Sequence, residues 1–135
     1  MIKRIHHLAV AVRSVDEAAE TYGRYYGIEF SPAEDVPTAS IKRRMADIGG
    51  VIVELVQPLQ DGDAISTFLE RKGEGLYLLS FAVDSVPEAR RRVDDGGARV
   101  ISQQTSPTTG LPLMTIHPRD NHGVLIQLTE DEAHN

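Results

Sequence analysis

One stretch of this chain is written twice. Ile5-His6-His7-Leu8-Ala9-Val10-Ala11-Val12-Arg13-Ser14-Val15-Asp16-Glu17-Ala18 returns 71 positions on (76 − 5) as Leu76-Tyr77-Leu78-Leu79-Ser80-Phe81-Ala82-Val83-Asp84-Ser85-Val86-Pro87-Glu88-Ala89. Both copies read as an apolar strand, a polar stop and a helix start, and both keep the Ala-Val, Ser-Val and Glu-Ala pairs. A second match, at an offset of 73 (127 − 54), sets Gly50-Val51-Ile52-Val53-Glu54-Leu55 against Gly123-Val124-Leu125-Ile126-Gln127-Leu128. The chain therefore reads as two copies of strand, helix, strand, strand, strand. Each copy leaves an apolar face that it cannot bury alone, and pairing with its duplicate solves that problem. The expectation is an α+β fold in which two βαβββ modules, residues 1–72 and 76–135 of one domain 1–135, pair into a curved mixed sheet enclosing a cleft.

Local signals place the elements. Residues 4–12 predict a strand, in which alternation of side chains sends His6 and His7 to opposite faces. Ser14 is the N-cap of a helix with Asp16 and Glu17 in its first turn, and Gly27 ends it. Ile28-Glu29-Phe30 predicts a short strand, and 31–38, with Pro32 and Pro37, a loop. Strands follow at 39–48 and 51–56, joined by Gly49-Gly50. Ala64 to Lys72 has Ile65, Phe68 and Leu69 on one helical face, and Gly73-Glu74-Gly75 is the joint between the halves. The second half predicts a strand at 76–83, a helix at 87–95, strands at 99–102, 113–117 and 124–128, a loop at 103–110 and a polar tail from Glu130.

Composition narrows the function. At 135 residues the chain buries a core without a staple, and it has no cysteine, which removes disulfides, thiolate nucleophiles and sulfur-rich zinc sites. A metal here takes N and O ligands. No signal peptide or bilayer-length apolar run is present, so the reading is cytoplasmic, with no membrane partner. The net charge of −6 opposes phosphate backbones and argues against nucleic acid. The basic clusters are Lys42-Arg43-Arg44 and Arg90-Arg91-Arg92.

Four positions stand out because duplication makes them equivalent: His7 with Leu78, and Glu54 with Gln127. A carboxylate between Val53 and Leu55 lies on a wet face, is paired, or meets a cation, because burial of an unpaired charge costs several kcal/mol. Of the remaining histidines, His117 reads as structural or near the mouth of the cleft, His122 as a turn residue and His134 as part of the tail.

These motifs resemble the vicinal oxygen chelate superfamily, which includes glyoxalase I, extradiol dioxygenases and the bleomycin- and fosfomycin-resistance proteins. The similarity is greatest to its methylmalonyl-CoA epimerase branch. It is carried by Ile5 to Val12, Val53-Glu54-Leu55-Val56-Gln57-Pro58-Leu59, Ile65 to Gly75, Ile116-His117-Pro118-Arg119 and Gly123 to Leu128. The resemblance implies a glyoxalase-like fold, a homodimer and a small-molecule substrate. It also implies a divalent metal (Co, Mn, Ni, Zn or Mg) held by His7, Glu54 and Gln127. Leu78 stands where the family has a second histidine, with Tyr77 beside it, and Gln127 stands where the epimerases have a basic glutamate. An amide oxygen can ligate a metal, but it cannot take an α-proton as a carboxylate does.

Where the epimerases carry their other catalytic carboxylate, this chain offers Ser40, Lys42, Arg43 and Arg44. The site implied is thus Glu54 and Gln127 for catalysis, with Lys42, Arg44, Tyr77 and Leu78 around the substrate. Two function classes follow. One is an isomerase of the epimerase type that moves an α-proton of an acyl-CoA or small carboxylic acid and stabilises the enolate. The other is a metal-free binding or resistance-type protein of the same fold, with a glyoxalase-like lyase as the neighbouring enzymatic alternative.

Overall fold

A computed structural model of the chain describes residues 1–131; the part of the tail that holds His134 lies outside the described residues. Eight strands and three α-helices occur among the described residues. Packing divides the described residues into two compact units, Leu8–Tyr77 and the combination of Met1–His7 with the described residues from Leu78 on. The breaks fall after His7 and before Leu78, which are the paired positions of the sequence repeat.

In the unit Leu8–Tyr77, the last four residues of β1 (Ile2–Ala11) lead into α1 (Val15–Tyr26), β2 (Glu34–Val36), β3 (Ile41–Ile48), β4 (Val51–Pro58) and α2 (Ala64–Lys72). The strand order is β2-β3-β4-β1, with β2–β3 and β3–β4 antiparallel. α1 starts where the sequence places it: Ser14 Oγ accepts from Glu17 N at 3.2 Å, and Gly27 closes the helix at φ 69°. Its apolar side lies on Val53 and Leu55 of β4 and Ala46 of β3, with Val10, Val12 and Phe30 completing this core. The Gly49-Gly50 hairpin has both φ values positive, 62° and 93°, the pattern of a two-residue I′ turn.

In the other unit, β5 (Gly75–Val83) is followed by α3 (Val86–Asp95), β6 (Val100–Thr105), β7 (Pro112–Ile116) and β8 (Ile126–Glu130), in the order β5-β8-β7-β6. β5 runs parallel to β8, and the remaining neighbours are antiparallel. Ser85 caps α3 as Ser14 caps α1, with its Oγ 3.3 Å from Glu88 N. α3 sits on Phe81, Val83, Met114, Ile116, Ile126 and Leu128. The residues at the start of β1 are tied down by charge: Arg4 Nη2 donates to Asp131 Oδ1 at 3.0 Å.

Several boundaries differ from expectation, among them β6, which runs on to Thr105 into the expected 103–110 loop. Ile28-Glu29-Phe30 forms no strand, because Phe30 is drawn into the α1 core and the chain meets β3 through Ser31, whose N–H reaches Met45 O at 2.7 Å. The strand forms instead at Glu34–Val36, inside the expected loop, where Glu34 and Asp35 face the cations Arg43 and Lys42. β8 begins at Ile126 and not at Val124, since the 3-10 turn Pro118–Asn121 extends its hydrogen bonding to Val124 N. No helix among the described residues is long and apolar enough to cross a membrane.

The face of β5 and β8 away from α3 contains a buried hydroxyl pair, Ser80 Oγ and Thr129 Oγ1, 2.7 Å apart. Thr129→Val leaves Ser80 without its partner in a fully buried position and should cost about 1–3 kcal/mol, whereas Ser80→Ala with Thr129→Val should cost less than the single change. Urea denaturation of the two singles and the double measures this coupling. Gly50→Ala meets no atom within 4 Å but forces a side chain onto a φ of 93°, so a loss of about 1–2 kcal/mol is expected by the same measurement.

Candidate functional site

The hairpin β3–β4 decides which side chains meet. Residues opposite each other on antiparallel strands share a face, so the register Arg44↔Leu55 and Lys42↔Gln57 puts Lys42 and Arg44 on the α1 side. Arg44 Nη1 bonds Asp16 Oδ1 of α1 at 3.0 Å, and its Nε donates to Ser31 O at 2.9 Å. Lys42 lies 3.9 Å from Asp35.

The other face carries Arg43, Met45, Glu54 and Val56, from Arg43↔Val56 and Met45↔Glu54. Arg43 is the arginine that meets the carboxylate. Its Nη1 donates to Glu54 Oε2 at 3.3 Å, and its Nε donates to Glu34 Oε1, directly opposite on β2, at 2.7 Å. The side chains of Arg43 and Glu54 are only 12% and 13% exposed, against 52% for Glu34. Burial pushes the Glu54 carboxyl above its ordinary value; Arg43 pulls it down by charge and hydrogen bond, and Glu34 adds to the rise by like-charge repulsion. Desolvation wins, so Glu54 is a carboxyl held nearer to neutrality than a surface glutamate.

Tyr77, the other candidate in this unit, packs edge-on against Phe68 with ring centroids 5.1 Å apart. Burial raises its phenol above the usual value, and the charge of Asp63 adds to the rise, so it remains an O–H donor. A cleft of about 300 Å³ also belongs to this unit, on the α1 side, lined by Val10, Val12, Ser14, Thr21, Tyr22 and Glu74 among others. None of the site residues expected from sequence lines it.

In the unit that begins at Leu78, Gln127 faces away from α3, opposite Ser80 on β5 and Thr115 on β7. Thr129 Oγ1 donates to Gln127 Oε1 at 3.2 Å and also bonds Ser80. With its amide oxygen taken by Thr129, the NH2 end of Gln127 is its hydrogen-bond donor. Leu78 is half-buried and apolar. His6 and His7 do not part as strand alternation predicts. Their Nδ1 atoms lie 2.8 Å apart and their rings meet edge-on at 5.0 Å. Alternation fixes only the Cβ directions, and Nδ1 is two bonds further out, so rotation about χ1 brings the rings together; one Nδ1 carries the proton and the other accepts it. His117 is structural: its ring Nδ1 accepts from Arg119 N at 3.0 Å and caps the 3-10 turn, whose far end is His122 at φ 57°.

The resemblance implies a divalent metal, and the donor set can be tested against it. Among the described residues no three His, Asp or Glu side chains come together to hold an ion. Each implied ligand also has another partner: a guanidinium at Glu54, a hydroxyl at the Gln127 oxygen, a second imidazole at His7. With hydrocarbon at Leu78, this chemistry does not fit a resident metal.

Comparisons with known proteins agree with the architecture. The ethylmalonyl-CoA/methylmalonyl-CoA epimerase of Cereibacter sphaeroides is 30% identical over 133 residues, covering 96% of this chain and 99% of that protein. The human mitochondrial methylmalonyl-CoA epimerase is 28% identical, covering 94% of this chain and 73% of that one. Among solved structures, methylmalonyl-CoA epimerase of Mycobacterium tuberculosis superposes with a TM-score of 0.86 at 26% identity, over 98% of this chain and 90% of that chain. A Streptomyces coelicolor methylmalonyl-CoA epimerase variant in complex with 2-nitronate-propionyl-CoA gives 0.88 at 26% identity, over 98% and 100%. The α+β fold of two βαβββ modules expected from the repeat, glyoxalase-like as the resemblance implied, is thus the fold of these epimerases. Residues 6–113 match the Glyoxalase/Bleomycin resistance protein/Dioxygenase superfamily, and the chain belongs to it.

Proposed function

We propose that the protein is an epimerase-type isomerase that exchanges the α-proton of an acyl-CoA or small carboxylic acid through an enolate. The observation that carries this reading is Glu54, a carboxyl that burial pushes above its ordinary value on a strand face where a guanidinium backs it. The full-length similarity to epimerases of acyl-CoA substrates supports it. In the step proposed, the α-C–H bond breaks and its proton passes to Glu54. The bonding electrons move onto the thioester or carboxylate oxygen. Inversion follows when a proton from solvent adds to the opposite face of the α-carbon and Glu54 releases its own to water; return from Glu54 regenerates the starting isomer.

Gln127 has no carboxylate and offers an amide N–H as a hydrogen-bond donor, Tyr77 offers its phenol O–H, and Leu78 is apolar. Arg44 and Lys42, turned toward the α1 side, act as scaffold in this reading. The chain works as one domain and as a cytoplasmic homodimer, taking a small molecule as its only partner. A second reading, a metal-free binding protein of the same fold, is favoured by the amide at Gln127, which cannot take an α-proton as a carboxylate does.

Incubation with methylmalonyl-CoA or other acyl-CoA thioesters in D2O should place deuterium at the α-carbon, followed by mass spectrometry. Glu54→Gln should slow exchange by about 100-fold or more. Tight ligand binding with no exchange in any acyl-CoA or 2-substituted carboxylic acid would establish the binding protein instead. Because only deprotonated Glu54 accepts a proton, the exchange rate should rise with pH through a midpoint above the ordinary 4.5. Removing the like charge with Glu34→Gln should move that midpoint down, as read from rates across the acid limb.

A further inference from the structure

We propose that the guanidinium of Arg43 is the positive charge of this site, holding the anionic oxygen of the deprotonated substrate, and that the chain works without a resident metal ion. The proposal rests on the α-proton chemistry above and names the cation that this chemistry needs. A carbon acid next to a thioester or carboxylate forms an enolate only where positive charge or strong donors meet the developing oxyanion. The implied metal donors do not fit an ion, for the reasons of partner and chemistry already given. Arg43, by contrast, is buried to the same degree as Glu54 and bonded to it, on the one face of the β3–β4 hairpin that carries that carboxylate. Of the three consecutive cations Lys42, Arg43 and Arg44, strand alternation turns only the middle one to this face.

Charge conservation makes the placement effective. Before proton transfer the guanidinium balances the Glu54 carboxylate; afterwards Glu54 is neutral and the negative charge resides on the substrate oxygen. The same cation serves both states with no new charge brought into a desolvated place, so the electrostatic environment is organised before the step. Glu34 fixes the fork. With Nε bonded to Glu34 at 2.7 Å and Nη1 to Glu54 at 3.3 Å, the plane of the guanidinium is set by two strands, β2 and β4. A lysine, a point charge on a flexible stem, would not reproduce that plane. The class of ligand selected is an α-carbon acid with a planar oxygen pair, such as a thioester beside a carboxylate.

The test uses the full chain purified without added metal, with metal content measured and exchange followed before and after dialysis against EDTA. Exchange of methylmalonyl-CoA should be unchanged, within about twofold, by EDTA and by added Co2+ or Mg2+. Arg43→Gln should lower exchange about 100-fold and weaken methylmalonyl-CoA binding about tenfold by calorimetry, and Arg43→Lys should fall between. Because Arg43→Gln leaves Glu54 buried alone, Glu54→Gln and Arg43→Gln/Glu54→Gln form a second pair that isolates the guanidinium in a neutral background, read by binding. Stoichiometric metal whose removal abolishes exchange overturns the proposal, as does full exchange in Arg43→Gln. If the unaltered protein exchanges nothing, the isomerase reading falls by itself. The role of Arg43 as the anion-holding cation is then judged by the second pair: equal binding in both variants overturns it, and a tenfold loss supports it.

Discussion

The first N–H of α1 belongs to Val15, and Gln57 Oε1, from the end of β4, accepts it at 3.0 Å. In the other unit, Val86 N at the start of α3 is taken by Glu130 Oε1, from the end of β8, at 2.9 Å. Gln57 and Glu130 are themselves related by the repeat, and in each case the serine before the helix supplies a second cap. An orphan donor at a helix start is a cost wherever water is excluded, and Val15 and Val86 are both fully buried. Pinning that one N–H sets how the helix lies on its strands, and this sets which strand face carries the core and which is left to carry chemistry. A carboxylate at the helix start also gains from the helix dipole, which gives Glu130 a structural use for its charge.

The two modules exchange their acid and amide. Where one has Glu54 facing away from its helix and Gln57 facing toward it, the other has Gln127 facing away and Glu130 facing toward. Glu130, at a helix N-terminus, is a structural carboxylate. Glu54 meets no helix start, only burial and charged neighbours, and its carboxyl is pushed above the ordinary value. Chemically similar residues at repeat-related positions are thus divided, by the face on which each falls, between a helix N-terminus and the sheet face turned away from the helix.

Hydroxyls take over at Gln127 the part that Arg43 plays at Glu54. Ser80 and Thr129 form a buried pair whose one outward bond goes to the amide oxygen of Gln127. A neutral amide needs only a neutral partner; a buried carboxylate needs a cation, because its desolvation cost is several times larger. The charge on β4 therefore brings with it Arg43, and Arg43 brings Glu34 and the short strand β2.

Much of the fold was legible without coordinates. The 71-residue offset set out both modules, Ser14 and Ser85 marked both helix starts, and Gly49-Gly50 marked the hairpin, because caps and tight turns are local physics written in single residues. The segment from Ile28 to Val36 was misread because its outcome is not local: Phe30 is claimed by the core under α1, and the acidic residues pair with cations on β3. Within the basic run, sequence alone favoured Lys42 and Arg44, and the decision in favour of Arg43 came from strand register, which alternation can state only once the facing partner is known. His6 and His7 show the same limit, since alternation determines where a Cβ points and not where a ring ends. By itself the sequence determined the duplicated architecture and the rare polar positions, Glu54 and Gln127, in apolar strands. The partners of those positions, a guanidinium for one and a hydroxyl chain for the other, were decided by tertiary structure, because burial and pairing belong to neighbours distant in the chain.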